Sequence, residues 1–349
     1  MKTPTIINIV SGKGGTGKTL MNAVLADFLG LGGISVLVID LDISVRGLTA
    51  LLYFHKGESL SLIDKSQFSV AELFVKKVQE QDSSNIKKLG ISRYNRFDVL
   101  PAVSRIDANL NFNDILPASK EEAVRIIKSL LDMVPHDYDL ILLDSRAGYD
   151  EMVAATHNLS NASVCVEEDD SISKITSDNL IRQLKNDSDN PVFRLTNKSR
   201  QNEESSTSYN ENLGVTDLGK IPFDIDVMNS FGAKNFWEEI PRTIYRSGLI
   251  TVWNRLMNKM ELNWHLTDTR ISPLSSQRIE KSFGALSWKD RIFMLYGLMI
   301  TGLGFGFGFM DPEFLYYLMQ DPQKLASIGL GTVGLFMVLW VAMRIGVKH

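Results

Sequence analysis

Cysteine is almost absent: the 349 residues contain one, Cys165, so no disulfide can form within the chain. It sits in the apolar run "ASVCV" (162–166) and reads as a buried structural thiol. An excess of positive charge is also lacking. The net charge of −4 argues against strong non-specific DNA binding and leaves room only for a local basic patch. No low-complexity tract dominates and no internal repeat is apparent. The N-terminus "MKTPTIINIV" is too short in its apolar part, and too quickly polar, for a secretory signal, so the N-terminal domain is expected in the cytoplasm. At 44% hydrophobic and 22% charged, the chain has the composition of a folded protein. Its length suits one large α/β domain with an appendage.

Charge is missing altogether from two stretches near the C-terminus, "IFMLYGLMITGLGFGFGFM" (292–310) and "LASIGLGTVGLFMVLWVAM" (325–343). Each is close to the length that crosses a hydrocarbon layer of about 30 Å as a helix. Lys281, Lys289 and Arg291 precede the first run, and Arg344 and Lys348 close the second. The connecting stretch carries Asp311, Glu313 and Asp321 against Lys324. The positive-inside tendency then places both ends of a hairpin in the cytoplasm and the acidic loop outside. Trp288, Tyr316, Tyr317 and Trp340 stand near the run ends, where amphipathic aromatics favour the interface. Gly302/Gly306 and Gly304/Gly308 have the four-residue spacing that permits close helix packing. The expected division is a domain over 1–262, a linker over 263–287 and a transmembrane hairpin over 288–349.

The first 260 residues alternate apolar strands with helices. Strands are predicted at 5–10, "ISVLVID" (34–40), "RFDVLPA" (96–102), "YDLILLD" (138–144), 162–168, 192–197 and 215–223. A helix follows the first strand at 20–29, and "SKEEAVRIIKSLLDMV" (119–134) opens with a Ser119 cap and early glutamates. This alternation implies a mostly parallel, doubly wound α/β sheet. The stretch 198–211 is polar and reads as a surface loop.

Between the first strand and its helix lies Gly12-Lys13-Gly14-Gly15-Thr16-Gly17-Lys18-Thr19, which satisfies G-x-x-x-x-G-K-[ST]. The glycines let successive backbone N–H groups turn toward phosphate oxygens, and the helix start faces the same anion. Lys18 is suited to neutralise β/γ-phosphate charge and the Thr19 hydroxyl to ligate Mg²⁺.

The additional lysine, Lys13, makes "KGGTGKT" resemble the deviant P-loop of the MinD/ParA family of ATPases. That resemblance implies a nucleotide-sandwich homodimer in which Lys13 reaches the partner's ATP. It extends to "VIDLDISVRGLTALL" (38–52), where Asp40 would help hold Mg²⁺ through water and Asp42 would orient the attacking water. "YDLILLDSRAG" (138–148) resembles the Walker B strand and second switch, with Asp144 on the magnesium side and Gly148 near the γ-phosphate. "LTNK" (195–198) would place Asn197 on adenine, and Pro222 to Asp224 would lie beside the base. Two positions depart from the family pattern: Leu20, where a second hydroxyl is usual, and Arg146, where small residues or proline are common.

The function implied is a membrane-anchored ATPase switch that recruits or positions a protein partner, which stimulates slow hydrolysis. Three other readings stand beside it: an ATP-gated membrane effector, a bacterial tyrosine kinase of the same lineage, and a DNA-partitioning protein. The kinase reading lacks the usual tyrosine-rich tail, since the chain ends "VKH". The net charge and the expected anchor count against DNA.

Overall fold

The computed structural model describes residues 3–75, 88–110, 115–199, 213–233, 236–240 and 243–267. The two apolar runs expected to form the hairpin lie outside the described residues. Among those described, no helix is long and apolar enough to cross a membrane. The chain divides between Arg270 and Ile271, and every element below belongs to the first unit.

Eight strands form one sheet: β1 (Thr5–Ser11), β2 (Val36–Asp40), β3 (Ser92–Tyr94), β4 (Phe97–Leu100), β5 (Leu140–Ala147), β6 (Ala162–Glu168), β7 (Val192–Ser199) and β8 (Thr216–Pro222). The spatial order is β3-β4-β2-β5-β1-β6-β7-β8, and every pairing is parallel except β3 with β4. Central strands are mostly apolar because helices cover both faces. Alternation sends Val36 and Val38, Leu140 and Leu142 to one core, and Leu37 and Ile39, Ile141 and Leu143 to the other.

The first core is covered by α1 (Lys18–Leu31), α2 (Gly47–His55) and, late in the chain, the helix Ile244–Lys259. The second lies under α3 (Val70–Val75), α4 (Lys120–Met133) and α5 (Glu151–Leu159). A smaller cluster around Val10 and Cys165 is closed by α6 (Ser171–Asp187). The predicted start of α4 is present: Ser119 Oγ accepts from Glu122 N at 3.3 Å, while Glu122 Oε2 accepts from Ala118 N at 2.7 Å. After the helix Ile244–Lys259 the chain stays packed, with Trp253 Nε1 donating to the Trp264 carbonyl at 2.8 Å and Asn254 bonding both backbone groups of Leu266.

A buried polar network ties the three central strands together. Asn8 Nδ2 donates to Thr156 Oγ1 and Ser163 Oγ, and Asn8 Oδ1 accepts from Ser145 Oγ at 2.7 Å. The bonds link β1, β5, β6 and α5, and satisfied networks of this kind specify register. They hold in place the strand ends that carry the candidate site.

Glu167 illustrates the cost of a poorly paired acid. Its side chain is 3% exposed, and Arg194 Nε stands 3.8 Å away. Burial pushes its carboxyl up to about 7, with Arg194 offsetting part of the effect. The folded value lies above the unfolded one, so its contribution to stability is full below about pH 4.5 and is lost as pH rises through 7. Glu167→Gln should therefore flatten the pH profile, gaining about 2–3 kcal/mol relative to the parent between pH 5 and pH 8. Thermal midpoints of both proteins at the two pH values test this; an equal gap at both would contradict it.

Candidate functional site

The site begins where β1 ends. Ser11 is followed by the loop Gly12–Gly17, and α1 starts at Lys18. Gly15 (φ +82°) and Gly17 (φ +88°) take the left-handed conformation that curls the loop, which side chains rarely tolerate. Gly12 lies so close to α6 that an added Cβ would fall 2.3 Å from the Thr176 carbonyl carbon.

Lys18 is buried, and its Nζ donates to Ser11 Oγ at 2.8 Å. Burial lowers its pKa, while Asp144 and Asp42 oppose the shift. The Thr19 hydroxyl donates to Asp144 Oδ2 at 2.7 Å, and Asn22 Nδ2 donates to Asp144 Oδ1 at 2.8 Å. Asp40 is the register partner of Asp144 across β2 and β5. It accepts from Thr49 N and Oγ1 at 2.8 and 2.6 Å, and from Asp42 N at 3.2 Å. Burial pushes both carboxyls above the usual range. The charge of Asp144 adds to the shift at Asp40, whereas Thr19, Lys18 and Asn22 restrain it at Asp144.

Two buried carboxyl groups beside a threonine hydroxyl concentrate negative charge that a divalent cation would relieve. Among the described residues no cluster of three or more His, Cys, Asp or Glu could hold a metal. Mg²⁺ keeps several waters and takes one or two carboxylates together with substrate phosphates, which is the donor set these residues offer. Thr19 and Asp144 are placed to hold it, and Asp40, whose oxygens already accept backbone and hydroxyl protons, to act behind them.

Beside these residues opens a cavity of about 580 Å³, a size that suits a small-molecule or cofactor ligand. Its walls include Gly14, Gly15, Gly17, Lys18, Thr19 and Leu20 from the loop and α1, Asp42 and Val45 after β2, and Arg146 and Ala147 from β5. Asn197, Lys198, Pro222, Phe223 and Asp224 complete them from the ends of β7 and β8, with Met228 and Phe231 beyond. Asp42 caps the turn after β2, accepting from Val45 N at 3.1 Å. Asn197 Nδ2 donates to the Thr16 carbonyl at 2.7 Å and so ties β7 to the loop. Asp224 accepts from the amides of Asp226, Val227 and Ile244, so its carboxylate shapes the wall around the short helix α7 (Ile225–Ser230). Gly148 stands beside the cavity, its amide donating to the Ser11 carbonyl at 2.9 Å.

Lys13 is placed differently. It is not among the cavity walls. Its Nζ lies 2.7 Å from Glu168 Oε2 and 2.8 Å from Asp170 Oδ2, and hydrogen bonding to Asp170, then Glu168, raises its pKa. Glu168 also accepts from Lys198 Nζ at 2.7 Å, and Lys198 donates in addition to the Gly15 carbonyl. Sequence reasoning assigned no role to Glu168, Asp170, Lys198, Asn22 or Thr49. The available signal was the run Glu167-Glu168-Asp169-Asp170 at the carboxyl end of an apolar strand, four acids beside a lysine-bearing loop.

Comparison with known proteins agrees with this geometry. The chain is 27% identical over 235 residues to a chloroplastic septum site-determining MinD homologue of Arabidopsis thaliana, covering 66% of this chain and 67% of that one. It is 27% identical over 211 residues to the septum site-determining protein MinD of Escherichia coli K12, covering 60% and 66%. The fold matches the cell division ATPase MinD of Pyrococcus furiosus at a TM-score of 0.53 and 21% identity, covering 74% of this chain and all of that one. It also matches a putative plasmid partition protein of Borrelia burgdorferi bound to AMPPNP, with TM-score 0.54, 20% identity and the same coverage. The family model described as AAA domain matches residues 4–188, more than half of the chain. The chain belongs to that family, and it resembles the MinD/ParA-like P-loop ATPases in sequence and fold.

Proposed function

We propose that this protein is a membrane-anchored ATPase switch whose ATP-bound form is a homodimer, with each subunit's Lys13 serving the nucleotide of the other. The observation that carries this reading is the different placement of the two lysines. Lys18 stands inside its own cavity on Ser11, and Lys13 is turned out of it onto Glu168 and Asp170.

The chain's residues fit the parts of the reaction. The loop amides and Lys18 hold the phosphates, and the strand ends of β7 and β8 enclose the base. Asp42, on the wall near Lys18, is placed to orient water toward the γ-phosphorus. Mg²⁺ bound with the nucleotide supplies neutralisation of phosphate charge. Supplying Lys13 from the partner makes complete charge compensation depend on assembly, as a finger residue given in trans does. Residues 292–310 and 325–343 would fix the switch to the bilayer, so that the cycle controls assembly and partner recruitment in place of membrane attachment.

Two measurements on the full chain test the reading. Light scattering of the detergent-solubilised protein should show a monomer with ADP and a dimer with a non-hydrolysable ATP analogue. Alkaline carbonate washing should leave the protein in the membrane pellet. One mass with both nucleotides would remove the switch, and release by carbonate would remove the anchor.

A further inference from the structure

Arg146 is a cation in the nucleotide cavity to which the mechanism above gives no task. It lies two residues after Asp144 on β5, where the register of β5 against β1 shifts by one residue between Asp144 and Ala147. The side chain forms part of the cavity wall with Lys18 and Asp42. The cations on that wall are Lys18, Arg146 and Lys198. Lys18 donates to Ser11 Oγ and has its task in the reading above, and Lys198 is tethered to Glu168 and the Gly15 carbonyl.

Arg146 is held by a contact suited to exchange. Its Nη1 pairs with Asp150 Oδ2 at 3.0 Å, with both side chains partly exposed, at 33% and 23%. Pairs of this kind hold weakly. The other oxygen of Asp150 accepts from Val153 N at 2.9 Å and caps α5, so Asp150 stays in place when the guanidinium leaves. A guanidinium has five donors in a planar fork, which matches the oxygens of a phosphoryl group.

The geometry points to Arg146 as a catalytic arginine supplied in cis: as the γ-phosphoryl group begins to transfer, the guanidinium moves from Asp150 onto its oxygens. In the step it serves, the water oxygen bonds to the γ-phosphorus as the bond to the β–γ bridging oxygen breaks. The electron pair leaves on ADP, one water proton stays with the phosphate and the other passes to solvent. The charge that spreads over the γ-oxygens is what Arg146 stabilises. The inference rests on the ATPase reading above and adds a source of rate that each subunit carries itself.

The test compares full-length Arg146→Ala, Arg146→Lys and Asp150→Asn with the parent, in single-turnover hydrolysis, ATP affinity and capture of ADP with aluminium fluoride. Arg146→Ala should lose about 100-fold or more in rate, with ATP affinity changed by less than about threefold. Arg146→Lys should recover little, since lysine lacks the fork. Asp150→Asn keeps a helix cap and frees the guanidinium, so hydrolysis should rise, by roughly two- to fivefold. Arg146→Ala turning over within threefold of an active parent would overturn the inference. A parent that binds ATP without hydrolysing it would instead overturn the ATPase reading. Aluminium fluoride capture then still decides on Arg146: loss in Arg146→Ala supports it, and equal capture refutes it.

Discussion

Lys13→Ala should abolish ATP-dependent dimerisation and lower turnover about 1,000-fold, while each subunit still binds ATP within about threefold of the parent affinity. The separation of these effects follows from where the side chain lies. Lys13 forms no part of its own cavity wall, so truncation takes nothing from the subunit's own nucleotide. Its partners Glu168 and Asp170 are partly exposed, Glu168 keeps Lys198, and Asp170 keeps the Ser173 amide of α6. Folding should therefore lose no more than about 1 kcal/mol. In the dimer, by contrast, the missing ammonium leaves each triphosphate short of a cation in a water-poor interface, where charge counts most. Light scattering with a non-hydrolysable analogue, alongside fluorescence titration of nucleotide binding, checks both halves. Dimers forming at parental affinity would contradict the expectation.

Asp42→Ala should give the opposite phenotype: a chain that binds ATP, dimerises and stays dimeric, with hydrolysis reduced about 100- to 1,000-fold. The phosphate and metal positions do not depend on it. Lys18 remains on Ser11, Thr19 and Asn22 remain on Asp144, and Asp40 keeps both bonds from Thr49. What is lost is the carboxylate on the wall near Lys18 and one turn bond to the Val45 amide. A net hydrogen bond of that kind is worth about 1 kcal/mol. Persistence of the dimer after ATP addition, followed over time, is the measurement. Parental decay of the dimer would remove Asp42 from the chemistry.

Much of this architecture can be read from the amino acids because parallel strands covered on both faces must be mostly apolar. "ISVLVID", "YDLILLD" and "ASVCV" announce themselves for that reason, and each ends in acid or is followed by acids. The glycine-rich loop is equally legible, since its spacing follows from the phosphate it must wrap. The β3–β4 hairpin is not: a strand of three residues, Ser92–Tyr94, is too short for a period. Nor is the placement of Lys13, whose contact with Asp170 spans 157 positions and depends on β6 lying beside β1. Asp224 shows the same limit. From sequence it is an acid beside a base, and only the fold reveals three amides spending its carboxylate on the wall.

Mixing the two variants tests donation across the interface most directly. An equimolar mixture of Lys13→Ala and Asp42→Ala chains, each inactive alone, forms mixed dimers in which one site has its own Asp42 and receives Lys13 from its neighbour. The account predicts that ATP hydrolysis returns well above that of either component, to at most about half the parental rate, since each mixed dimer carries one complete site of two. If Lys13 acted on its own subunit's nucleotide, every site in the mixture would lack a part. The mixture would then stay as inactive as its components.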